Sequence, residues 1–107
     1  MDAGSVDRVF AALGDSGRRE LVREISERGS ATATELAAVL PVTRQAVAKQ
    51  LAALAGAGLV AGVRRGRETR YELTPEPLGE AVAWMAEVGA RWDEQLDALR
   101  EHLLPPK

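Results

Sequence analysis

The residues best suited to chemistry lie in residues 43–74, which read TRQAVAKQLAALAGAGLVAGVRRGRETRYELT. Gln45 and Lys49 are four residues apart, so on a helix they lie one above the other on the same face. A Gln amide pairs with N6 and N7 of adenine, and a Lys ammonium binds O6 and N7 of guanine. These residue types at this spacing favour readout of bases in the major groove of double-stranded DNA.

The neighbours of Gln45 and Lys49 extend this predicted contact. We expect Arg44, in the first helical turn, to hold a phosphate, and Gln50 to point towards the flank of the site. Thr43 is a natural N-cap whose hydroxyl could also touch a phosphate, although capping alone is sufficient reason for a Thr there. Ala48 is small enough to let the helix lie deep and to receive a thymine methyl group, unless it reflects helix propensity only.

Four arginines surround Gly66 in the second half of this segment, namely Arg64, Arg65, Arg67 and Arg70. They separate two short β-type runs, LVAGV and TRYEL, and so predict a hairpin with a cationic tip. The tip would lie on phosphates or enter the minor groove. The alternative is an edge strand that its charges keep soluble.

Charge is unevenly distributed along the chain. Residues 43–74 contain six basic and two acidic residues, whereas the whole chain has a net charge of −2. One interpretation is that these charges simply cover solvated helix faces. The clustering at the hairpin favours a basic nucleic-acid face on an otherwise acidic body.

The elements that position these residues follow from apolar periodicity. We predict helices over residues 5–13, 18–28 and 33–40, a recognition helix over about 43–56, a hairpin over about 59–74, and a last helix over about 77–104. Helix, short turn and helix followed by a hairpin define a winged helix-turn-helix. The predicted fold is mainly α with a β-hairpin wing, in one domain spanning residues 1–107.

The first and last helices carry apolar stripes that predict a homodimer. The spacing on the last helix alternates between three and four residues, which is typical of a helix that packs against a partner. The predicted interface residues are Val6, Val9, Phe10 and Leu13 on the first helix, and Met85, Val88, Trp92, Leu96, Leu99 and Leu103 on the last. The alternative is that the last helix folds back over the core of its own chain.

Composition argues against several other classes of protein. The chain has one His and no Cys, lacks a glycine-rich phosphate loop, and places no base beside Ser16 or Ser26, so we do not expect an enzyme or a cofactor. No run approaches the ~20 apolar residues of a membrane helix. The N-terminus has no signal-peptide pattern, and the expected location is cytoplasmic, without a membrane partner.

A series of motifs in order along the chain resembles the ArsR-type bacterial repressors. They are residues 9–15 (VFAALGD), 18–19 (RR), Leu21, 35–37 (ELA), 43–51 (TRQAVAKQL), Leu54, 57–60 (AGLV), 64–67 (RRGR), Tyr71 and Leu73. The resemblance covers nearly the whole chain. It implies a dimeric winged-helix repressor whose first and last helices form the interface.

The sequence departs from that family in two respects. Residues 34–38 (TELAA) have no Cys where the family's metal sensors carry a Cys pair, and the last helix offers only Asp93, Asp97 and a lone His102 as ligands. We therefore predict the metal-independent branch, with no metal bound. Gln50 and Ala48 stand where the family often has His and Ser, so the operator sequence cannot be inferred from relatives.

Two alternative functions remain open from the sequence. One is a winged-helix protein–protein adaptor that no longer binds DNA. The other is a repressor released by a small-molecule effector, bound near the dimer interface at Trp84, Met85 and Trp92. At that spacing these three side chains also suit plain interface packing.

Overall fold

The computed structural model describes residues 3–103, with side chains described for residues 4–101. The elements in chain order are α1 (Ala3–Leu13), α2 (Ser16–Arg28), β1 (Ala31–Thr32), α3 (Ala33–Val39), α4 (Arg44–Gly56), β2 (Val60–Arg65), β3 (Glu68–Leu73) and α5 (Pro75–Leu103). The winged helix-turn-helix fold predicted from the sequence is confirmed.

Local capping signals set the helix boundaries around the turn between α3 and α4. Thr32 and Glu35 form a reciprocal capping box at the start of α3. The Thr43 hydroxyl accepts a hydrogen bond from the Ala46 N–H, at 3.1 Å, and caps α4. Gly58 follows the end of α4 with φ +77°, a left-handed conformation that favours glycine. These caps fix where α4 begins and ends.

The sheet contains a short strand that the sequence did not predict. Its order is β1-β3-β2, with all pairs antiparallel. β2 and β3 form the expected hairpin, but Ala31 of β1 also pairs with Tyr71 of β3. β1 therefore attaches the wing to the start of α3.

An aliphatic core lies between the first four helices and the sheet. Its largest fully buried side chains are Val9, Leu21, Ile25, Leu36, Val47, Leu51, Leu54 and Leu59. Burial of each such side chain contributes about 1.5–3 kcal/mol relative to leaving it exposed. The core is built from the inner faces of α2, α3 and α4, so the outer face of α4 is left towards solvent.

The structure corrects part of the predicted dimer interface. Val6 and Val9 are buried within the chain, with 4% and 0% of their surface exposed, so they have no surface to offer a second subunit. Leu13 is half-buried against the same core. Apolar periodicity identifies the inner face of α1 but does not tell intrachain burial from burial between chains. Phe10 is on the exposed side, and its ring contacts Trp84 edge-on with the centroids 5.5 Å apart.

Helix α5 extends well beyond the rest of the chain. The molecule measures 70 × 29 × 20 Å and has a radius of gyration of 18.9 Å. A globular chain of this length has a radius of gyration of about 13 Å. The first part of α5 packs on α1, and Ser5 Oγ donates to Glu80 Oε2 at 2.9 Å. Among the helices in residues 3–103, none is both long and apolar enough to span a bilayer.

Candidate nucleic-acid interface

The outer face of α4 presents the side chains predicted to read bases. Gln45 and Lys49 are exposed, because Val47, Leu51 and Leu54 occupy the inner face of the same helix. Lys49 has no hydrogen bond or ion pair within the described part of the chain. Both side chains are therefore accessible to a partner molecule, and Lys49 can bind it without first breaking a hydrogen bond or an ion pair to a described residue.

A groove of about 500 Å³ runs between α4 and the wing. Arg44 and Ala48 line it from α4, and Arg64 and Arg67 line it from the hairpin. The structure thus brings together four of the residues predicted to bind DNA. A groove with arginines on both walls is suited to a phosphate backbone.

The four wing arginines occupy different positions. Strand register puts Arg64 on the sheet face of Tyr71, and Arg65 on the opposite face, where its guanidinium is 3.9 Å from Glu72. Arg64 Nε donates to the Gly66 carbonyl oxygen within the turn, at 3.1 Å. Arg67 is exposed at the tip and makes no hydrogen bond or ion pair to any described residue.

Arg70 is held by residues of its own chain. Its guanidinium donates to both Ser30 Oγ and the Ser30 carbonyl, and its Nη2 lies 3.0 Å from Glu35 Oε1. The hydrogen bond from the Thr32 N–H, reinforced by Arg70, lowers the pKa of the Glu35 carboxyl below its usual range, although desolvation opposes the shift. Arg70 therefore fastens the wing to the start of α3.

Gln50 is likewise held by residues of its own chain, on the side of α4 that faces α2. Its Oε1 accepts from Arg18 Nη1 at 3.1 Å, and its Nε2 donates to Asp15 Oδ2 at 3.2 Å. Both halves of the amide are thus occupied by the start of α2. The tertiary neighbours, which the helix periodicity did not reveal, decide the direction of this side chain.

Residues outside the predicted site also line the groove. Its hydroxyl groups are those of Thr32, of Thr34 in the first turn of α3, and of Thr69 and Tyr71 on β3, and its carboxylates are those of Glu35 and Glu68. Hydroxyl groups of this kind commonly bind phosphate oxygens. The signal that could have found Thr34 is its place in the first turn of the helix that precedes the recognition helix.

Comparisons with known proteins agree with this geometry. A model described as "Helix-turn-helix domain" matches residues 13–63. The uncharacterized HTH-type transcriptional regulator YuzN of Bacillus subtilis is 43% identical over 81 residues, which are 70% of this chain and 88% of that protein. The HTH-type transcriptional regulator Rv2034 of Mycobacterium tuberculosis is 39% identical over 74 residues, covering 69% of this chain and 68% of that protein.

A solved structure extends the likeness to almost the whole fold. The ArsR-like transcriptional regulator from Rhodococcus sp. RHA1 has a TM-score of 0.81 and 39% identity, and the match covers 96% of each chain. This chain belongs to the ArsR family of helix-turn-helix transcriptional regulators. It is accordingly a DNA-binding helix-turn-helix regulator, whose winged fold includes α3, α4 and the β2–β3 hairpin. The relatives are named as transcriptional regulators and not as enzymes.

Within the described part of this ArsR-family chain, the donor groups do not come together as a sensory metal site. The chain has no Cys, so residues 34–38 hold no thiolate ligand. Across residues 4–101, His, Asp and Glu form no group of three that could hold a metal ion. His102 lies outside the described side chains.

Proposed function

We propose that this protein is a homodimeric repressor that binds an inverted-repeat operator in double-stranded DNA without a sensory metal. The observation that supports it most is the shared surface of α4 and the wing. The exposed side chains of Gln45 and Lys49 lie on the same helix as Arg44 and Ala48, which line the groove opposite Arg64 and Arg67.

Base readout is assigned to the outer face of α4. Gln45 pairs with an adenine and Lys49 with a guanine in the major groove, and Ala48 leaves room for a thymine methyl group. Loss of one good base contact costs about 1–3 kcal/mol of discrimination against the wrong base.

Phosphate contact is assigned to Arg44, Arg64 and Arg67. Arg44 and Arg64 face each other across the groove, so one DNA strand can pass between α4 and the wing. Arg65 lies on the far face of the wing and would reach only a flanking phosphate or the minor groove. Thr43 caps α4, and its hydroxyl is proposed to lie close to the same DNA strand.

The second subunit is proposed to cover the outer part of α5. Trp92, Leu96 and Leu99 expose 60%, 53% and 52% of their surface, and Met85 exposes 47%. These side chains repeat at three- or four-residue intervals on a helix of 29 residues, about 44 Å long. An apolar stripe of this length on a projecting helix is typical of a symmetric helix-packing interface. Val88 is half-buried beside it, and Leu103 lies outside the described side chains.

The observed charge pattern supports DNA over the adaptor alternative. A protein adaptor has no need of Lys49 on α4 and Arg67 at the wing tip, which have no hydrogen-bond or ion-pair partner among the described residues. The effector alternative would use Trp84, but one edge of this side chain already packs against Phe10 between α1 and α5.

Selection from a pool of random duplexes tests the proposal. The protein should enrich an inverted repeat whose half-site centres are about 10 bp apart, or a multiple of that distance. Sedimentation equilibrium should give the mass of a dimer. A Lys49→Ala variant, with Arg23→Ala as a control on the exposed face of α2, should lose the enrichment. Enrichment of a lone half-site, or none at all with a folded dimer, would contradict the proposal.

A further inference from the structure

A hydrogen-bonded junction joins the end of α1 to the recognition helix. Arg18, in the first part of α2, donates from Nε to the Ala12 carbonyl and from Nη2 to the Ala11 carbonyl at 3.3 Å. Its Nη1 donates to Gln50 Oε1 on α4, at 3.1 Å. One guanidinium thus holds the last turn of α1 and a side chain of α4 together.

Asp15 closes the junction from the other side. Its Oδ2 accepts from Gln50 Nε2 at 3.2 Å, and the same oxygen accepts from the Arg18 N–H at 3.0 Å as the N-cap of α2. A Cβ at Gly17 would lie 3.0 Å from Asp15 Oδ2 and 3.6 Å from Gln50 Nε2. Gly17 therefore leaves the space that this contact needs.

Apolar packing does not replace these hydrogen bonds. An open cleft of about 290 Å³ lies between the C-terminal parts of α1 and α4, lined mainly by Ala and Gly. Because small residues leave the cleft unfilled, Arg18 and its partners add to the aliphatic core in setting the angle between the two helices. Arg18 and Gln50 are both half-buried, which shields their hydrogen bonds from competition with water.

We infer that Arg18 and Gln50 are positioning residues that fix the angle of the recognition helix to α1, and with it the spacing between the two recognition helices of the dimer. This inference rests on the proposed function, in which α5, which packs on α1, forms the dimer and α4 enters the major groove. Neither side chain touches DNA. Loosening the junction weakens simultaneous binding of two half-sites and leaves binding of one half-site nearly unchanged.

The distance between the recognition helices provides a test without DNA. The chain has no Cys, so Ala52→Cys on the exposed face of α4 carries a single spin label per subunit. Pulsed dipolar spectroscopy of the dimer should give a narrow distance distribution, and Gln50→Met should broaden or shift it. Arg19→Met is the matched control, because Arg19 Nη1 also donates to a carbonyl of α1, that of Leu13. Within the described residues, no hydrogen bond or ion pair joins Arg19 to α4.

The same variants are then measured on selected duplexes whose half-site spacing is changed one base pair at a time. Gln50→Met should bind the full operator about tenfold more weakly, the scale of one or two lost hydrogen bonds. Its affinity for a single half-site should change less than about twofold, and its spacing preference should flatten. Arg19→Met should keep the wild-type preference.

An unchanged distance distribution with Gln50→Met, or equal losses on the half-site and the full operator, would overturn the inference. If Gln50→Met does not fold, Gly17→Ala presses on the same contact and should give the same broadening. Failure of the proposed function has a different signature, because the distances would respond to the variant while no duplex was enriched.

Discussion

Removal of Arg67 should change the salt dependence of DNA binding and little else. Its guanidinium is exposed at the wing tip, without a hydrogen bond or ion pair among the described residues, so Arg67→Ala leaves no internal group unpaired. Each phosphate contact contributes about 0.9 to the slope of log K against log salt concentration. A dimer has two copies of Arg67, so the slope should become shallower by about 1.8.

That change is large enough to measure. When salt is raised from 50 to 200 mM, the affinity of the wild type for DNA should fall by a factor about 12 times larger than the affinity of the variant does. Fluorescence anisotropy of labelled duplexes over this range gives both slopes. Arg23→Ala is the control, because it removes the same charge from the exposed face of α2, where Arg23 pairs only with Glu20. Its slope should equal that of the wild type.

Two outcomes would refute the assignment of Arg67 to the DNA backbone. One is an unchanged slope in the Arg67→Ala variant. The other is a change in which bases are preferred, which would show that Arg67 reads the minor groove. A loss of thermal stability greater than about 0.5 kcal/mol would also be unexpected for an exposed, unpaired side chain.

Three further predictions concern stability and assembly. Trp92→Glu places a charge in the proposed α5 interface and should shift sedimentation from dimer to monomer, whereas an unchanged dimer would remove Trp92 from the interface. Leu51→Ala should lower the free energy of unfolding by about 2–5 kcal/mol in urea titration, because Leu51 is fully buried, and a cost below 1 kcal/mol would contradict its place in the core. The folded-state pKa of Glu35 is lowered, so its stabilising effect is complete above the unfolded-state pKa and is lost as pH falls through the folded-state pKa. As pH is lowered from about 6 to 3, the urea midpoint of the wild type should therefore fall more steeply than that of Glu35→Gln. Parallel curves for the two proteins would show that Thr32 and Arg70 do not stabilise the Glu35 carboxylate.

The elements that the sequence predicted well depend on local chemistry. The helix ends depend on residues that cap or terminate the backbone within a few positions, namely Thr32 with Glu35, Thr43, and Gly58 after α4. The inner face of α4 follows from the spacing of Val47, Leu51 and Leu54 alone. Gln45 and Lys49 are exposed because they lie opposite these residues, so this part of the site was also predictable.

The features that the sequence did not reveal depend on contacts between residues that are distant in the chain. Gln50 and Arg70 are polar residues in a basic segment, yet their partners lie 32 and 40 positions away, at Arg18 and Ser30. The pairing of β1 with β3 likewise depends on a segment of only two residues, too short for alternation to appear. Val9 shows the same limit, because an apolar stripe does not reveal whether its own chain or a second one covers it.

The specificity ratio of α4 variants is the most direct test of the account. Affinity is measured at one salt concentration for the selected operator and for a scrambled duplex of equal length. Gln45→Ala or Lys49→Ala should lower the ratio by about 5- to 150-fold, equivalent to ~1–3 kcal/mol, with nonspecific affinity nearly constant for Gln45→Ala. Equal losses on both duplexes, leaving the ratio unchanged, would contradict the claim that the outer face of α4 reads bases.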